Sequence, residues 1–423
     1  MRNDMATRLS SEAVPPGWQL RLAEIKSDLL RRLIPTAGEA VPELDNIVVA
    51  GLLKSPTGLG QSARLCISAL QQAGYRVGTI DLSKHFKVNA DVPFENFGSD
   101  PRDGRGILIL HINGPQVTRA LWRIGQARVR KKLMIGYWAW ELETVPPGWI
   151  DGARFLHEIW APSSFSADAF SRAIDRPVRV VPHVASLRSR DGQTADARRA
   201  ARLMLDLPES AFVVAFGFAM QSNFERKNPI AALAAFKEAF GNNPSARLVL
   251  RCLDLHAYPR GAEALQRQIA GHDNIHLISD VSIPMNLTID AADVYVSLHR
   301  SEGFGLTILE AMAAGKPVIA TKWSGNMDFM SSHDSILIDS HQVLVDDPQG
   351  VYDRSLGCWA EPSITEAASA LRRLYHDVEF RNTIGVRALA AAENFVLKSR
   401  STILAALRAA ASEPHGSAIR NAR

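Results

Sequence analysis

The sequence has little cysteine and no long uncharged apolar run. Its three cysteines, Cys66, Cys252 and Cys358, are far apart and form no Cys-x-x-Cys pair, so neither a disulfide framework nor a zinc site is predicted. No stretch approaches the ~18 to 20 apolar residues of a membrane-spanning helix. Residues 1–17 are polar and lack the apolar run of a signal peptide. We therefore expect a cytoplasmic protein.

The sequence also lacks a strong charge imbalance. A formal net charge of +4 and a pI near 9.0 are mild for 423 residues. They are compatible with acidic ligands or an anionic surface and do not indicate a nucleic-acid partner. With 46% hydrophobic and 22% charged residues, the composition is that of a globular enzyme with room for two domains.

Buried strands alternate with helical stretches along most of the chain, which predicts α/β domains with parallel, doubly wound sheets. A polar stretch at 187–199 marks the boundary between two such series. We expect four regions: an N-terminal extension (1–45) with an amphipathic helix at 18–34, an N-terminal domain (46–190), a C-terminal domain (200–395), and a final helix and tail (396–423).

The most informative stretch runs from Ser301 to Glu310. A short β-branched strand precedes it and a helix ended by Gly315 follows it. The turn contains Gly303 and Gly305, which leave backbone N–H groups and the positive end of the helix dipole open to an anion such as a diphosphate. Glu302 on the turn and Glu310 two helical turns later are separated carboxylates of the kind that suits hydroxyl-rich ligands.

Glu302-Gly303-Phe304-Gly305-Leu306, with Glu310 after seven intervening residues, resembles the Glu-x7-Glu signature of retaining, nucleotide-sugar-dependent glycosyltransferases of family 4. Two further segments resemble that family: the basic loop 223–229 and the glycine loop 58–60. The resemblance covers roughly residues 46 to 395. It implies a GT-B fold, in which two Rossmann-like domains face an interdomain cleft.

The resemblance also implies roles for individual residues. Glu302 would bind donor-sugar hydroxyls, Glu310 the nucleotide ribose, and Arg226 with Lys227 the diphosphate. The backbone around Gly303, Phe304, Gly305 and Leu306 would complete the donor pocket. No cofactor beyond the nucleotide-sugar is implied, and the sequence has no convincing Asp-x-Asp metal site, so cations and helix dipoles would stabilise the leaving group.

In the N-terminal half, Gly58 and Gly60 border the cleft by resemblance, and His111 lies at a strand end in the acceptor half. His111 is a candidate for contact with the reacting sugar, with a structural role as the equal alternative. The aromatic and acidic segment 136–146 favours Glu141 as a sugar-binding carboxylate.

Gly58-Leu59-Gly60-Gln61-Ser62-Ala63 also fits the dinucleotide fingerprint, with Asp81 at the end of the next strand. This supports a rival hypothesis, an NAD-dependent oxidoreductase. Four residues, 54–57, separate the strand from the first glycine, whereas the fingerprint's glycine follows its strand directly. A catalytically silent GT-B scaffold is a third possibility.

Segments 226–229 and 324–326 are similar to those of bacterial polysaccharide and lipopolysaccharide mannosyltransferases, so GDP-mannose is the first expectation for the donor and a saccharide or lipid-linked molecule for the acceptor. Residues 118–132 contain six cations and no acid, with Trp122 among them. This composition suits peripheral contact with the anionic inner face of the plasma membrane, although a solvated helix face explains it as well.

Overall fold

The computed structural model of the chain describes residues 33–88, 90, 92–95, 104–185 and 195–413. Most of the amphipathic helix expected at 18–34 lies outside the described residues, as do the core of the polar boundary stretch and the end of the tail. The fold consists of two six-stranded parallel sheets with helices on their faces, together with one antiparallel hairpin.

The first sheet has the strand order β2-β1-β3-β4-β5-β6. Its central strands are uninterrupted apolar runs because both faces of the sheet are covered. The strands are β1 (Ile47–Gly51), β2 (Val77–Asp81), β3 (Ile107–His111), β4 (Leu133–Tyr137), β5 (Glu158–Ala161) and β6 (Val178–Val180).

Helices of different lengths connect these strands. The first, α1, begins at a Thr57 side chain that accepts a hydrogen bond from the Gly60 N–H. The helices are α1 (Gly58–Gln72), α2 (Val117–Ile124), α3 (Gln126–Val129), α4 (Pro147–Ala153) and α5 (Ser164–Ala173).

The second sheet has the order β12-β11-β10-β7-β8-β9, the doubly wound arrangement of dinucleotide-binding folds. Its strand order reverses between β7 and β10, which pair through Val294–Val214 and Tyr295–Ala215. The strands are β7 (Phe212–Ala219), β8 (Ala246–Leu253), β9 (Ile275–Ile278), β10 (Val294–Ser297), β11 (Val318–Thr321) and β12 (Ile336–Ile338).

The second domain's helices begin with α6, and the last of them, α13, is 35 residues long. They are α6 (Ala195–Met204), α7 (Phe224–Lys227), α8 (Pro229–Phe240), α9 (Pro259–Ile269), α10 (Met285–Ala291), α11 (Leu306–Ala313), α12 (Ile364–His376) and α13 (Val378–Ser412). The α13 end reaches the first domain, where Glu413 forms an ion pair with Arg179 at 2.5 Å. No helix among the described residues is long and apolar enough to cross a membrane.

An antiparallel hairpin, β13 (Ser340–Leu344) and β14 (Cys358–Pro362), follows β12. This hairpin was not predicted from the sequence. Tyr352 and Trp359 from this segment are buried, and they belong to the hydrophobic cluster of the first domain. The Tyr352 ring lies 5.3 Å from that of Trp140, so the hairpin of the second domain packs on the first.

Candidate active site

The candidate site lies at the switch point of the second sheet. β7 ends at Ala219 and β10 at Ser297, and the loops after these paired strands carry the Asn223–Pro229 and Ser301–Gly305 segments. Open parallel sheets bind ligands in the crevice outside the carboxyl ends of the strands, at the point where the order reverses. The segments that the sequence singled out therefore meet where the topology favours a ligand.

Two asparagines shape the basic loop. Asn223 and Asn228 have φ values of 74° and 50°, in the left-handed region that asparagine tolerates better than most residues. The Asn223 side chain accepts from the Arg226 N–H at 2.9 Å. Arg226 and Lys227 end the four-residue helix α7, and Pro229 begins α8. The two helices are separate because Asn228, between them, adopts a left-handed conformation.

Arg226 is buried and heavily bonded. Its Nη1 donates to the Ser301 carbonyl at 2.8 Å and to Glu302 Oε2 at 3.2 Å, and its Nη2 donates to the Ser222 carbonyl at 2.7 Å. Arg226 Nε is buried without a hydrogen-bond acceptor. Burial alone lowers the pKa of the guanidinium, but Tyr352, Glu141 and Glu302 raise this pKa above its ordinary value. Arg226 thus holds the two loops together as a permanent cation.

Glu302 joins the two cations. Lys227 Nζ donates to Glu302 Oε1, and Arg226 approaches Oε2. Burial favours the protonated carboxyl, yet Lys227 and Arg226 outweigh it and lower the pKa of Glu302 to about 2. Burial likewise lowers the pKa of Lys227, and Glu302 opposes that shift. The carboxylate is therefore charged throughout the neutral range.

The 324–328 loop fixes the backbone of Glu302. The Glu302 N–H donates to Ser324 Oγ at 2.8 Å, and the Gly325 N–H donates to the Glu302 carbonyl at 2.9 Å. A Cβ on Gly325 would lie 2.4 Å from the Gly303 carbonyl oxygen, so only glycine allows this approach. The 324–328 loop therefore packs directly on the backbone of the Glu302–Gly303 turn.

The glycine turn leads directly into α11, as predicted. Gly305, with φ of 96°, precedes its first residue, Leu306. Phe304 is buried and packs edge-on against His183, with ring centroids 4.8 Å apart. Glu310 lies on α11 and is half-buried. The residues named for a donor pocket thus share one turn and the helix that follows it.

The first domain contacts this turn directly. Ser163 Oγ donates to the Gly303 carbonyl at 2.6 Å, and Ser301 Oγ donates to the Glu141 carbonyl at 2.5 Å. Glu141 Oε1 lies 3.8 Å from Arg226 Nη2, and Glu141 Oε2 accepts from the Tyr352 hydroxyl at 2.9 Å. The carboxylate of Glu141, which belongs to the first domain, therefore contacts Arg226 and Tyr352 of the second domain.

Sequence reasoning did not identify Tyr352. A signal for its segment was present: the apolar residues Val343, Leu344 and Val345 are followed by the turn-forming sequence 346–350 and then by a second apolar run at 358–360. What the sequence could not show was that this hairpin reaches across to Glu141.

The residues expected on the acceptor side, Gly58, Gly60 and His111, lie in the first sheet's own switch region, between β1 and β3. The loop expected to extend to Gly60 ends earlier, because α1 begins at Gly58. A Cβ on Gly60 would lie 2.4 Å from the Ser55 carbonyl oxygen and 2.5 Å from that of Leu52. Close packing of α1 on this loop therefore explains the glycine at position 60.

His111, the last residue of β3, is fully buried. Its Nδ1 lies 3.0 Å from Ser62 Oγ, and its ring stacks on Tyr137 with centroids 4.4 Å apart. Burial, together with the nearby His183, lowers the pKa of His111 to about 3, so the ring is neutral. Its Nε2 is buried without a hydrogen-bond partner.

Among the described residues, no group of three or more histidine, cysteine, aspartate or glutamate side chains is arranged to hold a metal ion. Of the six cations in 118–132, Lys132 is buried, while Arg119 donates to the His85 carbonyl at 2.6 Å. Trp122 is 50% exposed, and Arg123, Arg130 and Lys131 of the same stretch are also exposed.

Residues 218–360, which contain the basic loop, the glycine turn, α11 and the hairpin, match the protein family described as glycosyl transferases group 1. The match covers less than half of the chain, and over these residues the chain is similar to the group 1 glycosyltransferases. The matched segment includes Arg226, Lys227, Glu302 and Glu310.

The chain is also similar to a curated protein, the D-inositol 3-phosphate glycosyltransferase of Acidothermus cellulolyticus. It is 28% identical over 198 residues, which make up 44% of this chain and 42% of the relative. The match therefore spans less than half of the relative's length.

Two solved structures resemble most of the chain. Anabaena HepE, in complex with UDP and glucose, has a TM-score of 0.61 at 18% identity and covers 86% of this chain and 99% of its own. A glycosyltransferase from Rickettsia africae has a TM-score of 0.61 at 13% identity and covers 87% and 99%. The fold expected from the resemblance is confirmed: the chain has the GT-B fold.

Proposed function

We propose that this chain is a nucleotide-sugar-dependent glycosyltransferase that retains the configuration of the transferred hexose at its anomeric carbon. The observation that carries the proposal is the meeting of Lys227, Arg226 and Glu302 at the switch point of the second sheet. Two cations beside the amino end of α11 supply the charge that a departing diphosphate requires.

On the donor side, Glu302 binds hydroxyls of the donor sugar and Glu310 binds the ribose. The turn from Gly303 to Leu306 provides backbone N–H groups to the diphosphate, with Gly305 allowing the left-handed bend that leads into α11. Lys227, whose side chain is 15% exposed, is better placed to touch the diphosphate than Arg226, at 5%. Arg226 then acts mainly through its charge and by holding Glu302.

The acceptor binds on the N-terminal domain, next to the loops that carry Gly58, Gly60 and His111. His111 is neutral and its Nε2 is buried with bonding capacity to spare, which supports contact with a hydroxyl of the reacting sugar. Front-face attack, the route that the resemblance to family 4 implies, is the proposed mechanism. In it the leaving phosphate helps remove the proton of the acceptor hydroxyl.

The proposed donor is GDP-mannose, with UDP-hexoses as the second candidates because HepE binds UDP with glucose. The proposed acceptor is a saccharide or lipid-linked molecule of bacterial surface polysaccharide synthesis. A lipid-linked acceptor would fit peripheral contact between an anionic membrane and the patch formed by Trp122, Arg123, Arg130 and Lys131.

A calorimetric binding panel tests the proposal. UDP- and GDP-linked hexoses and NADH would each be titrated into the full chain. We expect one nucleotide-sugar to bind and NADH to give no heat. Binding of NADH in place of nucleotide-sugars would contradict the proposal and favour the NAD-dependent oxidoreductase. Binding of a nucleotide-sugar without hydrolysis or transfer would favour a catalytically silent GT-B scaffold.

A further inference from the structure

The charges around Arg226 form one connected network that spans both domains. Lys227 and Arg226 pair with Glu302, and Glu141 approaches Arg226 from the first domain. Arg300 pairs with Glu225 at 2.9 Å and with Glu361 at 2.5 Å, and its N–H donates to the Arg226 carbonyl. Three cations thus face four carboxylates.

This balance is unusual for a place proposed to bind a diphosphate, because the anion meets no surplus of positive charge. Three of the four carboxylates come from the second domain. The fourth, Glu141, comes from the first domain, so its charge reaches Arg226 only where the two domains touch. Glu141 also accepts a hydrogen bond from the hydroxyl of Tyr352, which belongs to the hairpin segment.

Hydrogen bonds in the hairpin loop fix the position of the Glu141 carboxylate. Asp347 accepts from the N–H groups of Gln349, Val351 and Tyr352, which shapes the hairpin loop. Gln349 Oε1 accepts from the Phe224 N–H at 2.6 Å, and Gln349 Nε2 donates to the Met220 carbonyl at 3.1 Å. These bonds tie the loop to α7, and they bring the Tyr352 hydroxyl to Glu141 Oε2.

We propose that Glu141, held by Tyr352 of the hairpin, is a positioning residue that sets how strongly Arg226 attracts the diphosphate of a nucleotide ligand. The inference rests on the proposed function in taking the ligand to be a nucleoside diphosphate. Glu141 lowers the affinity by partly neutralising Arg226. Tyr352 limits that effect because its hydroxyl holds Glu141 Oε2 in a hydrogen bond, away from the Arg226 guanidinium.

Substitutions of Glu141 and Tyr352 should therefore change nucleotide affinity in opposite directions. Glu141→Gln removes a negative charge beside Arg226, and we expect UDP or GDP, whichever the wild type prefers, to bind about 5-fold more tightly. The KM for the donor should fall as well, while kcat does not rise, because tighter binding of donor and product lowers KM without favouring the transition state. Tyr352→Phe releases the carboxylate toward Arg226, so it should weaken nucleotide binding about 3-fold.

A double variant separates this role from a structural one. If Tyr352 acts through Glu141, the Glu141→Gln/Tyr352→Phe double variant should bind nucleotide as Glu141→Gln does. Matched controls are Glu143→Gln, an exposed carboxylate in the same loop, and Tyr375→Phe, a tyrosine packed against Phe212 and Phe240. Simple damage to packing would weaken binding in both single variants and would make the double variant the weakest.

The closing experiment is calorimetric titration of UDP and GDP into wild type, both single variants, the double variant and both controls, beside a transfer assay. Opposite shifts in the single variants, with unchanged controls, support the charge role. Unchanged or weaker binding in Glu141→Gln overturns it, even if the wild type transfers sugar.

The two proposals can also fail separately. Tighter nucleotide binding in Glu141→Gln without any sugar transfer by the wild type would support the charge role and contradict the proposed function. If neither the wild type nor Glu141→Gln binds UDP or GDP, both proposals are overturned.

Discussion

Glu302 is the residue on which the site depends most, because it neutralises two buried cations at once. Its pKa is lowered from 4.5 to about 2, so its stabilising contribution is complete above the ordinary value and is lost as the pH falls through the lowered one. Removing one partner of a buried ion pair is costly because the other charges remain buried.

We therefore predict that Glu302→Gln lowers the free energy of unfolding by about 3 kcal/mol at neutral pH. The difference between wild type and variant should shrink progressively between about pH 5 and pH 2, as the wild-type carboxylate is protonated. Urea unfolding at a series of pH values measures it. A difference that stays constant down to about pH 2 would contradict the assigned charge state.

Glu310 gives a second test at this scale. Glu310→Ala should weaken donor binding by about 1.5 to 3 kcal/mol, the value of a hydrogen bond to a charged group, through loss of the proposed ribose contact. Glu263→Ala, an exposed carboxylate on α9, is the matched control. Calorimetry with the preferred nucleotide-sugar measures both variants, and equal affinities would remove Glu310 from the donor site.

At the scale of elements, the glycine turn and the 324–328 loop form one unit. Gly325 approaches the Gly303 backbone so closely that any Cβ would force the two loops apart. The two loops are hydrogen-bonded through the Glu302 backbone, so a change in the 324–328 loop should displace Glu302 in the proposed donor pocket.

Gly325→Ala should accordingly destabilise the protein by about 2 kcal/mol, a typical cost of overpacking. Turnover should fall more than stability alone explains, by about 10-fold, because Glu302 is displaced. Gly148→Ala is the control, since its Cβ would meet nothing closer than 4.0 Å. Thermal unfolding and a donor hydrolysis assay measure the two effects; retention of full turnover would show that the loop does not support the site.

Most of the strands, and the helix after the glycine turn, could be predicted from the sequence. Eleven of the twelve strands in the two sheets were expected within a residue or two at each end, because an apolar run covered on both faces has a clear pattern. The helix after Gly305 was also predicted, since glycine and a short apolar period mark its start.

Other features depend on distant contacts and could not be predicted. Helix α7 ends at Lys227 because Asn228 adopts a left-handed conformation, which a helical pattern does not reveal. Strand β6 stops at Val180 although the apolar pattern continues to Val184. The bond between Tyr352 and Glu141 joins residues 211 positions apart, a separation that no local pattern reports.

At the scale of the whole molecule, the two domains meet through the glycine turn, the hairpin and α13. Ser163 and Ser301 connect the turn to the first domain, and Glu413 at the end of α13 pairs with Arg179. The cationic patch lies on the first domain, away from these connections in sequence, and Leu121, Ile124 and Val129 of the same stretch are buried in the core.

If this patch contacts anionic membranes, cosedimentation with vesicles containing phosphatidylserine should be strong at low salt and weak at high salt, because each basic residue contributes about 1 kcal/mol. Arg123→Ser/Arg130→Ser/Lys131→Ser should abolish it, while Arg354→Ser/Arg387→Ser/Arg408→Ser on the other domain should not. Equal, negligible sedimentation of all three proteins would point to an acceptor in solution.

The central claim is that this molecule transfers a hexose with retention and that Glu302 with Lys227 and Arg226 carries the donor chemistry. The most direct measurement is transfer from the nucleotide-sugar that binds in the panel, in the presence of EDTA, with the anomeric configuration of the product read by NMR. We predict a product with the donor's configuration, activity unaffected by EDTA, and a kcat at least about 100-fold lower in Glu302→Gln. An inverted product, strict dependence on added magnesium or manganese, or full activity in Glu302→Gln would contradict the account.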